Sequence, residues 1–351
     1  MGVFDNTDWD AHESVCFAAD AATGLRAVIA LHSTALGPAG GGVRFRPYAS
    51  SEDALSDALR LSRAMTAKMA LAGLPFGGGK AVIIGDPRAD KTAALLEAFG
   101  RVVEGFGGRY ICGEDVGTTP QDMAIINRAT RHVAGLPETS GDTAPATAHG
   151  VFQAMRAAVR RKLGREDFAG LRVAVQGLGS VGYRLCVHLA AHGAILTVAD
   201  VNDEAVARAV AALDATAVPS DRILAVDADV LAPCALGGVL DAASLAMLRA
   251  PVICGAANNQ LADGGCAAIL AARGILFVPD FLANAGGVIS ATGPFLGVGE
   301  AETERKVAAI FETCDRLLAL AERDSITPSD AAERLVAEAL KAKRPVGSMA
   351  A

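Results

Sequence analysis

Leu171-Arg-Val-Ala-Val-Gln176-Gly177-Leu178-Gly179-Ser180-Val181-Gly182 is a short apolar run followed at once by a Gly-x-Gly-x-x-Gly pattern. The run has the length and β-branched content of a buried strand, and Ser180 opens a helix-like segment. In such a strand–turn–helix the first glycine makes the tight turn. The second lets a pyrophosphate approach the backbone, and the third lets helix and strand pack closely. The helix N-terminus adds unpaired N–H groups and positive potential, so the backbone from Gly177 through Leu178, Gly179, Ser180, Val181 and Gly182 is the expected phosphate cradle. A second strand-like run, Ala194-Ile-Leu-Thr-Val-Ala-Asp200, ends in an acidic residue 18 positions past Gly182. Asp200 is expected to accept from the adenosine ribose hydroxyls. An acid there repels a 2′-phosphate, and no arginine follows until Arg208, so the expected cofactor is NAD rather than NADP.

From this turn to about residue 285, short apolar strands alternate with helical patterns, as in a doubly wound parallel sheet. Ala232-Pro-Cys-Ala235-Leu-Gly-Gly238, Cys254-Gly-Ala-Ala-Asn258-Asn259 and Asn284-Ala-Gly-Gly287 each end an apolar run with small or amide residues, which suits the far side of the same crevice. Ala235, Asn258 and Asn284 are assigned to the cofactor and Asn259 to the substrate, although either Asn258 or Asn259 has the chemistry to meet the nicotinamide ribose or carboxamide.

Upstream the pattern differs. Residues 13–47 alternate strand-like runs with glycine-rich turns. A helix is expected over 51–71, with Ser51 as cap and Lys68 in its last turn. A strand over 81–84, a helix over 91–105 and a strand over 109–112 follow. Residues 137–147, rich in proline, glycine and hydroxyls, read as a linker before a helix over 148–162. The tail from about 301 reads as two helices, the second announced by Thr327-Pro328 with Asp330. The organisation is therefore an α/β substrate domain over 1–140, a Rossmann-type domain over 141–325 with a cleft between them, and a carboxy-terminal helix over 326–351 packing back on the first domain.

The first domain holds Met65-Thr-Ala-Lys68-Met-Ala-Leu-Ala-Gly-Leu-Pro-Phe-Gly77-Gly78-Gly79-Lys80. Both lysines sit in apolar, glycine-rich sequence without a nearby acid, and an ammonium is seldom placed so without a partner or a task. The glycines before Lys80 read as room for a small molecule to reach the backbone. A P-loop is excluded, since Leu74 and Ala81 replace the required glycine and hydroxyl. Cys112-Gly113-Glu114-Asp115-Val116 sets two carboxylates after a strand, and Asp115 is the better general-base candidate.

Composition narrows the classes. At 351 residues the chain holds two domains, and 52% hydrophobic with 20% charged residues is a globular balance. A net charge of −7 disfavours nucleic acid and anionic membrane as partners. No apolar run spans a membrane, and the acidic amino terminus is neither a signal peptide nor a myristoylation site. Seven cysteines without a Cys-x-x-Cys pair suit a reduced cytoplasmic protein with no metal site.

In order, Gly-Gly-x-Arg44, Lys68, Gly-Gly-Gly-Lys80, Glu-Asp115-Val, the glycine fingerprint, Gly-Ala-Ala-Asn-Asn259 and Asn284-Ala-Gly-Gly resemble the glutamate/leucine/phenylalanine/valine dehydrogenases, over about residues 12–340. The resemblance implies Lys80 and Asp115 as the catalytic pair and Lys68 on the substrate α-carboxylate. It also implies oxidative deamination of an L-amino acid to a 2-oxo acid and ammonia, and a homo-oligomer. Glutamate-specific members carry a lysine where this chain has Gly40, so an apolar substrate is expected. By the same resemblance Gly40, Gly41, Gly113 and Val288 line its side chain. Gly40 and Gly113 suggest a larger pocket and Val288 a leucine-type one, which leaves leucine, valine and phenylalanine open. A 2-hydroxy-acid dehydrogenase would want a histidine base and an arginine on the carboxylate. A silent NAD-binding protein would be expected to have lost Lys80 or Asp115.

Overall fold

The computed structural model describes residues 2–138 and 141–343. It divides into two units, one of Met1–Gly141, Ala291–Val298 and Val336–Ala351, the other of Asp142–Ser290 and Gly299–Leu335. Of the expected linker, residues 139 and 140 lie outside the described residues, and from Ala144 the chain is already helical. Residues 344–351 of the expected terminal helix also lie outside them.

The first unit is built on β1 (Ser14–Asp20), β2 (Leu25–Ser33), β3 (Ala39–Arg46), β4 (Gly77–Ile84) and β5 (Tyr110–Glu114), with α1 (Ser51–Leu71), α2 (Ala93–Glu104) and α3 (Pro120–Ile126). The strand order is β1-β2-β4-β3-β5, antiparallel at β1/β2 and β2/β4 and parallel at β4/β3 and β3/β5. Alternate residues of a strand face opposite sides. Val28, Ala30 and Val82 accordingly meet Ala54, Leu55, Ala58 and Leu59 of α1. Ala27, Ile29, Leu31, Ala81 and Ile83 turn the other way, onto Leu95, Leu96, Phe99 and Val103 of α2. Each of the larger buried side chains contributes about 1.5–3 kcal/mol of apolar transfer. The cap of α1 is Ser50, one residue earlier than expected: its hydroxyl accepts from Asp53 N–H at 3.0 Å, and Glu52 and Asp53 face the positive helix end.

The second unit begins with α4 (Ala144–Leu163) and continues β6 (Arg172–Gln176), α5 (Ser180–Ala191), β7 (Ile195–Ala199), α6 (Asp203–Leu213), β8 (Thr216–Ala217), β9 (Val230–Pro233), α7 (Ala242–Met247), β10 (Val252–Ile253), α8 (Gly265–Ala272), β11 (Leu276–Phe277), α9 (Asp280–Ala283) and α10 (Gly286–Thr292). All five strand pairings are parallel and the order is β11-β10-β9-β6-β7-β8. Numbered from β6, that is 3-2-1-4-5-6 read in reverse, the doubly wound dinucleotide order with its switch point between β6 and β9. The tail forms three helices rather than two: α11 (Glu300–Ala308), α12 (Ile310–Asp324) and α13 (Pro328–Ala342). Thr327 and Asp330 cap α13 reciprocally, and Val336, Ala339 and Leu340 join Leu36 and Ala70 in an apolar cluster of the first unit.

Candidate active site

Strand order poses a steric problem in the first unit, because β3 lies between β4, which carries Lys80, and the end of β5, which carries Asp115. The sequence of β3 resolves it. Gly40, Gly42 and Arg44 share the α1 side of the sheet with Gly78 and Lys80. A Cβ on Gly42 would stand 2.8 Å from Asp115 Cβ and 2.6 Å from the Glu114 carbonyl oxygen. With no side chain there, Asp115 leans over β3 and its Oδ2 meets Lys80 Nζ at 2.7 Å.

Two cations converge on that oxygen. Arg44 Nε donates to Asp115 Oδ2 at 2.9 Å, while Arg44 Nη1 donates to Asp57 Oδ2 on α1 at 2.9 Å. Tyr48 Oη–H and Arg60 complete the shell of Asp57, each at 2.7 Å. Lys80 is buried, its side chain 7% exposed. Burial holds its ammonium below the usual lysine range, an effect only partly offset by Asp115. Burial opposes ionisation of Asp115 too, but Lys80 and Arg44 outweigh it and hold the carboxyl below the usual range. Glu114 is exposed and stands outside this network.

Lys68 lies half-buried in the last turn of α1. Helix and strand run in direct contact here, since a Cβ on Gly78 would stand 2.1 Å from Thr66 N. Two residues beyond each side of that contact stand Lys68 and Lys80. The expectation that the triple glycine admits a ligand is corrected by the same geometry. At Gly77 the space is taken by the Ser33 carbonyl, at Gly78 by α1, and at Gly79 by the Tyr110 ring and Ala39. Gly41 is closed by the Gly79 carbonyl oxygen, 1.7 Å from its Cβ position, and at Gly40 the space is filled by Met69 Cε and Phe76. Gly113 is open, with only the Ala134 carbonyl oxygen at 3.7 Å.

In the second unit the three fingerprint glycines separate by role. Gly177 has φ +96° and packs on Ala235, the residue that follows β9 by two positions. A Cβ on Gly182 would fall 2.0 Å from the Gly177 carbonyl oxygen, so this glycine seats α5 against the turn. Gly179, the N-cap of α5, has nothing within 4 Å of its Cβ position. A pyrophosphate fits there, against the first amides of an exposed helix terminus. Leu178, Gly179, Ser180, Tyr183, Asn202 and Arg208 line a cavity of about 990 Å³.

Asp200 accepts from Leu178 N–H at 2.5 Å and from Asn202 N–H at 2.9 Å, which ties the acidic residue to the turn. Asn284 Nδ2 donates to Asn258 Oδ1 at 2.8 Å and to the Ala256 carbonyl at 3.1 Å. Its Oδ1 is buried without a hydrogen-bond partner, a vacancy that suits an amide N–H such as that of nicotinamide. Asn259 is exposed at φ +52°, and Val288 lies on α10.

The network around Arg44, and the place of Arg208, are not evident in the linear order. Asp57 and Arg60 read as an ordinary i,i+3 surface pair on α1. Arg208 is eight residues past Asp200, yet one turn of α6 brings its guanidinium over the Tyr183 ring at 3.9 Å. His188 and His192 share the i,i+4 spacing that metal sites use. Here His188 stacks on His149 and Phe152, and no group of three or more metal-ligating side chains exists among the described residues.

A parallel dinucleotide-binding unit in a chain that also holds a buried lysine–aspartate pair is the equipment of a dinucleotide-dependent oxidoreductase. Residues 12–132 match the family model of the Glu/Leu/Phe/Val dehydrogenase dimerisation domain, and residues 198–295 that of glutamate/leucine/phenylalanine/valine dehydrogenase. The chain is 46% identical to a leucine dehydrogenase of Geobacillus stearothermophilus, over 99% of this chain and 96% of that one. It is also 46% identical to a valine dehydrogenase of Streptomyces virginiae, over 97% and 96%. The crystal structure of L-tryptophan dehydrogenase from Nostoc punctiforme superposes with a TM-score of 0.86 at 41% identity, covering 95% of this chain and 97% of that one. The chain belongs to the glutamate/leucine/phenylalanine/valine dehydrogenase family, and it is an NAD-dependent amino-acid dehydrogenase.

Proposed function

We propose that the chain performs the reversible NAD-dependent oxidative deamination of an apolar L-amino acid to its 2-oxo acid and ammonia, with Lys80 and Asp115 as the catalytic pair. The observation that carries this reading is the ion pair at 2.7 Å, buried and braced by Arg44. NAD, when bound, supplies the hydride acceptor. Lys68 holds the substrate α-carboxylate. Asp115 takes a proton from the substrate ammonium, which frees the amine lone pair to form the iminium as the Cα hydride departs. Lys80 Nζ takes a proton from the water that adds to that carbon, giving the carbinolamine. Asp115 returns one to the nitrogen, and the C–N bond breaks. The hydroxyl becomes the keto oxygen as its proton passes to the departing ammonia, and Lys80 releases its proton to solvent. Gly177, Leu178, Gly179, Ser180, Val181 and Gly182 cradle the pyrophosphate, Asp200 the ribose, and Ala235, Asn258 and Asn284 the nicotinamide end.

Position 40 offers no cation for a second carboxylate, and its neighbours Met69 and Phe76 are apolar and buried. An apolar side chain, of leucine, valine or phenylalanine, is therefore favoured over glutamate, whose extra carboxylate would go unpaired. The relatives named for leucine, valine and tryptophan support an apolar substrate. A homo-oligomer is supported by the dimerisation-domain match, and a cytoplasmic location by seven free cysteines, five of them buried. Among the described residues no helix is long and apolar enough to cross a membrane.

The test is NADH formation with leucine, valine, phenylalanine, tryptophan and glutamate, for wild type and Lys80→Ala. Turnover of an apolar amino acid, reduced about 10²–10⁴-fold by Lys80→Ala, is expected. Silence on all five overturns the reading.

A further inference from the structure

Lys80 and Arg44 both meet Oδ2 of Asp115, at 2.7 and 2.9 Å, so one carboxylate oxygen is shared by two cations. The two are not equivalent. An ammonium loses its proton readily once buried, whereas a guanidinium keeps its charge throughout the range in which enzymes work. Arg44 is also fixed from behind, since Asp57 takes Nη1 at 2.9 Å and is itself held by Tyr48 and Arg60. A planar fork gripped by two carboxylates has a set orientation, which a flexible ammonium lacks.

We propose that Arg44 is a positioning residue for the deamination: anchored on Asp57, it fixes the Asp115 carboxylate against Lys80 through Oδ2, and it remains as the countercharge of Asp115 when Lys80 gives up its proton. Without it, Lys80 is the one cation left in contact with the Asp115 carboxylate, which otherwise keeps the Val116 backbone N–H, and that carboxylate then holds the ammonium in its charged, unreactive form. The proposal rests on the catalytic reading of Lys80 and Asp115 given above.

Other titratable groups surround the pair, and the Asp57 carboxylate acts on Lys80 in the opposite sense to Arg44. On α1 stand Asp57, Arg60 and Lys68, and after β3 stands Tyr48. On β5 stand Tyr110 and Cys112. Burial, together with the Asp57 carboxylate, raises the Tyr48 hydroxyl far above neutrality, and burial does the same for Tyr110. Burial also pushes the Cys112 thiol up to about 12. None of these three changes charge near neutral pH. The Arg44 charge itself disfavours the Lys80 ammonium and favours the Asp115 carboxylate.

The experiment compares wild type, Arg44→Gln and Arg44→Lys by two readouts. One is the pH profile of kcat/KM for the preferred amino acid. The other is the pH dependence of Lys80 acetylation, followed by peptide mass spectrometry, which reads Lys80 without turnover. Deamination needs neutral Lys80, so activity rises with pH as Lys80 deprotonates. Removing a neighbouring cation raises the pH at which it does so. In Arg44→Gln both the rising limb and the acetylation curve are expected about one pH unit higher, so activity on that limb falls about tenfold. Arg44→Lys restores the charge, and its curves are expected to return most of the way to wild type while kcat stays about 3–10-fold low for want of the fork. If Arg44→Gln does not fold, Arg44→Lys decides: kcat lowered with KM for NAD unchanged supports positioning, and wild-type kcat overturns it. In an active enzyme, curves for Arg44→Gln that coincide with wild type overturn the proposal and leave Arg44 a structural brace. A wild type without turnover overturns the catalytic reading beneath it, whatever the acetylation curves do.

Discussion

Gly77-Gly78-Gly79 and Gly177-x-Gly179-x-x-Gly182 look alike in the sequence and serve opposite ends. In the first, every missing side chain is replaced by the protein itself: the Ser33 carbonyl, α1 at Thr66, and the Tyr110 ring. In the second, two glycines pack internally and one, Gly179, opens outward. The first segment therefore builds a site by letting a helix and strands close on one another until Lys80, Asp115 and Arg44 touch. The second leaves a gap for a phosphate at a helix terminus. A glycine cluster signals close approach, but what approaches is decided by the neighbours.

Alanine substitution breaks or upholds this distinction. Gly78→Ala places a methyl 2.1 Å from Thr66 N and 2.4 Å from the Ser62 carbonyl oxygen, both backbone atoms. A loss of about 3 kcal/mol or more is expected, read as a large fall in thermal midpoint or as insoluble protein. Gly182→Ala should behave similarly, for the same reason. Gly179→Ala is expected to melt close to wild type while KM for NAD rises about tenfold, roughly 1.4 kcal/mol of binding. A Gly179→Ala protein that unfolds, or a Gly78→Ala protein that melts normally and loses only substrate affinity, would abolish the contrast.

The charged cluster above the first glycines makes a smaller and pH-dependent prediction. Burial works against the ionised Asp57, but Tyr48, Arg44 and Arg60 outweigh it and hold its carboxyl below the usual 3.8. A carboxyl depressed in the folded state adds stability above its unfolded pKa, and loses it as pH falls through the folded one. The thermal midpoint is therefore expected to drop below about pH 4. Asp57→Asn should cost about 1–3 kcal/mol near neutrality and flatten that acid drop, as measured by calorimetry from pH 3 to 7. The smallest effect belongs to Arg208→Ala. Arg208 lines the cavity beside Gly179, so losing its charge there is expected to raise KM for NAD about two- to fivefold, and NADP, whose 2′-phosphate a guanidinium favours, should lose more than NAD. Equal loss for both cofactors would place Arg208 away from the ribose.

Much of this was legible in one dimension. The alternation of apolar runs in residues 171–285 gave a doubly wound sheet, and β6, α5 and β7 fall within a residue or so of their expected places. Helix α1 ends at Leu71 as its periodicity required. Lys80 and Asp115, 35 residues apart, stand out in the sequence by their chemistry and are in contact. Less legible was the start of α4 at Ala144: Pro145 reads as loop, but proline is tolerated in a first turn. The tail helix breaks at Ala309, and we find no sequence signal for that break.

What the sequence determined alone was local: periodicity, caps and turn glycines, all set by near neighbours along the chain. It also supplied the residue types that the chemistry needs. What tertiary structure decided was pairing at a distance. That β3 lies between β4 and β5, so that Gly42 must be bare for Asp115 to cross, follows from strand order, which no single segment encodes. That Arg44 serves Asp115 and Asp57 together depends on a strand and a helix meeting on one side of the sheet, 71 and 13 residues apart in the chain. A charge looks for its partner in space, and only the folded chain puts the two within 3 Å.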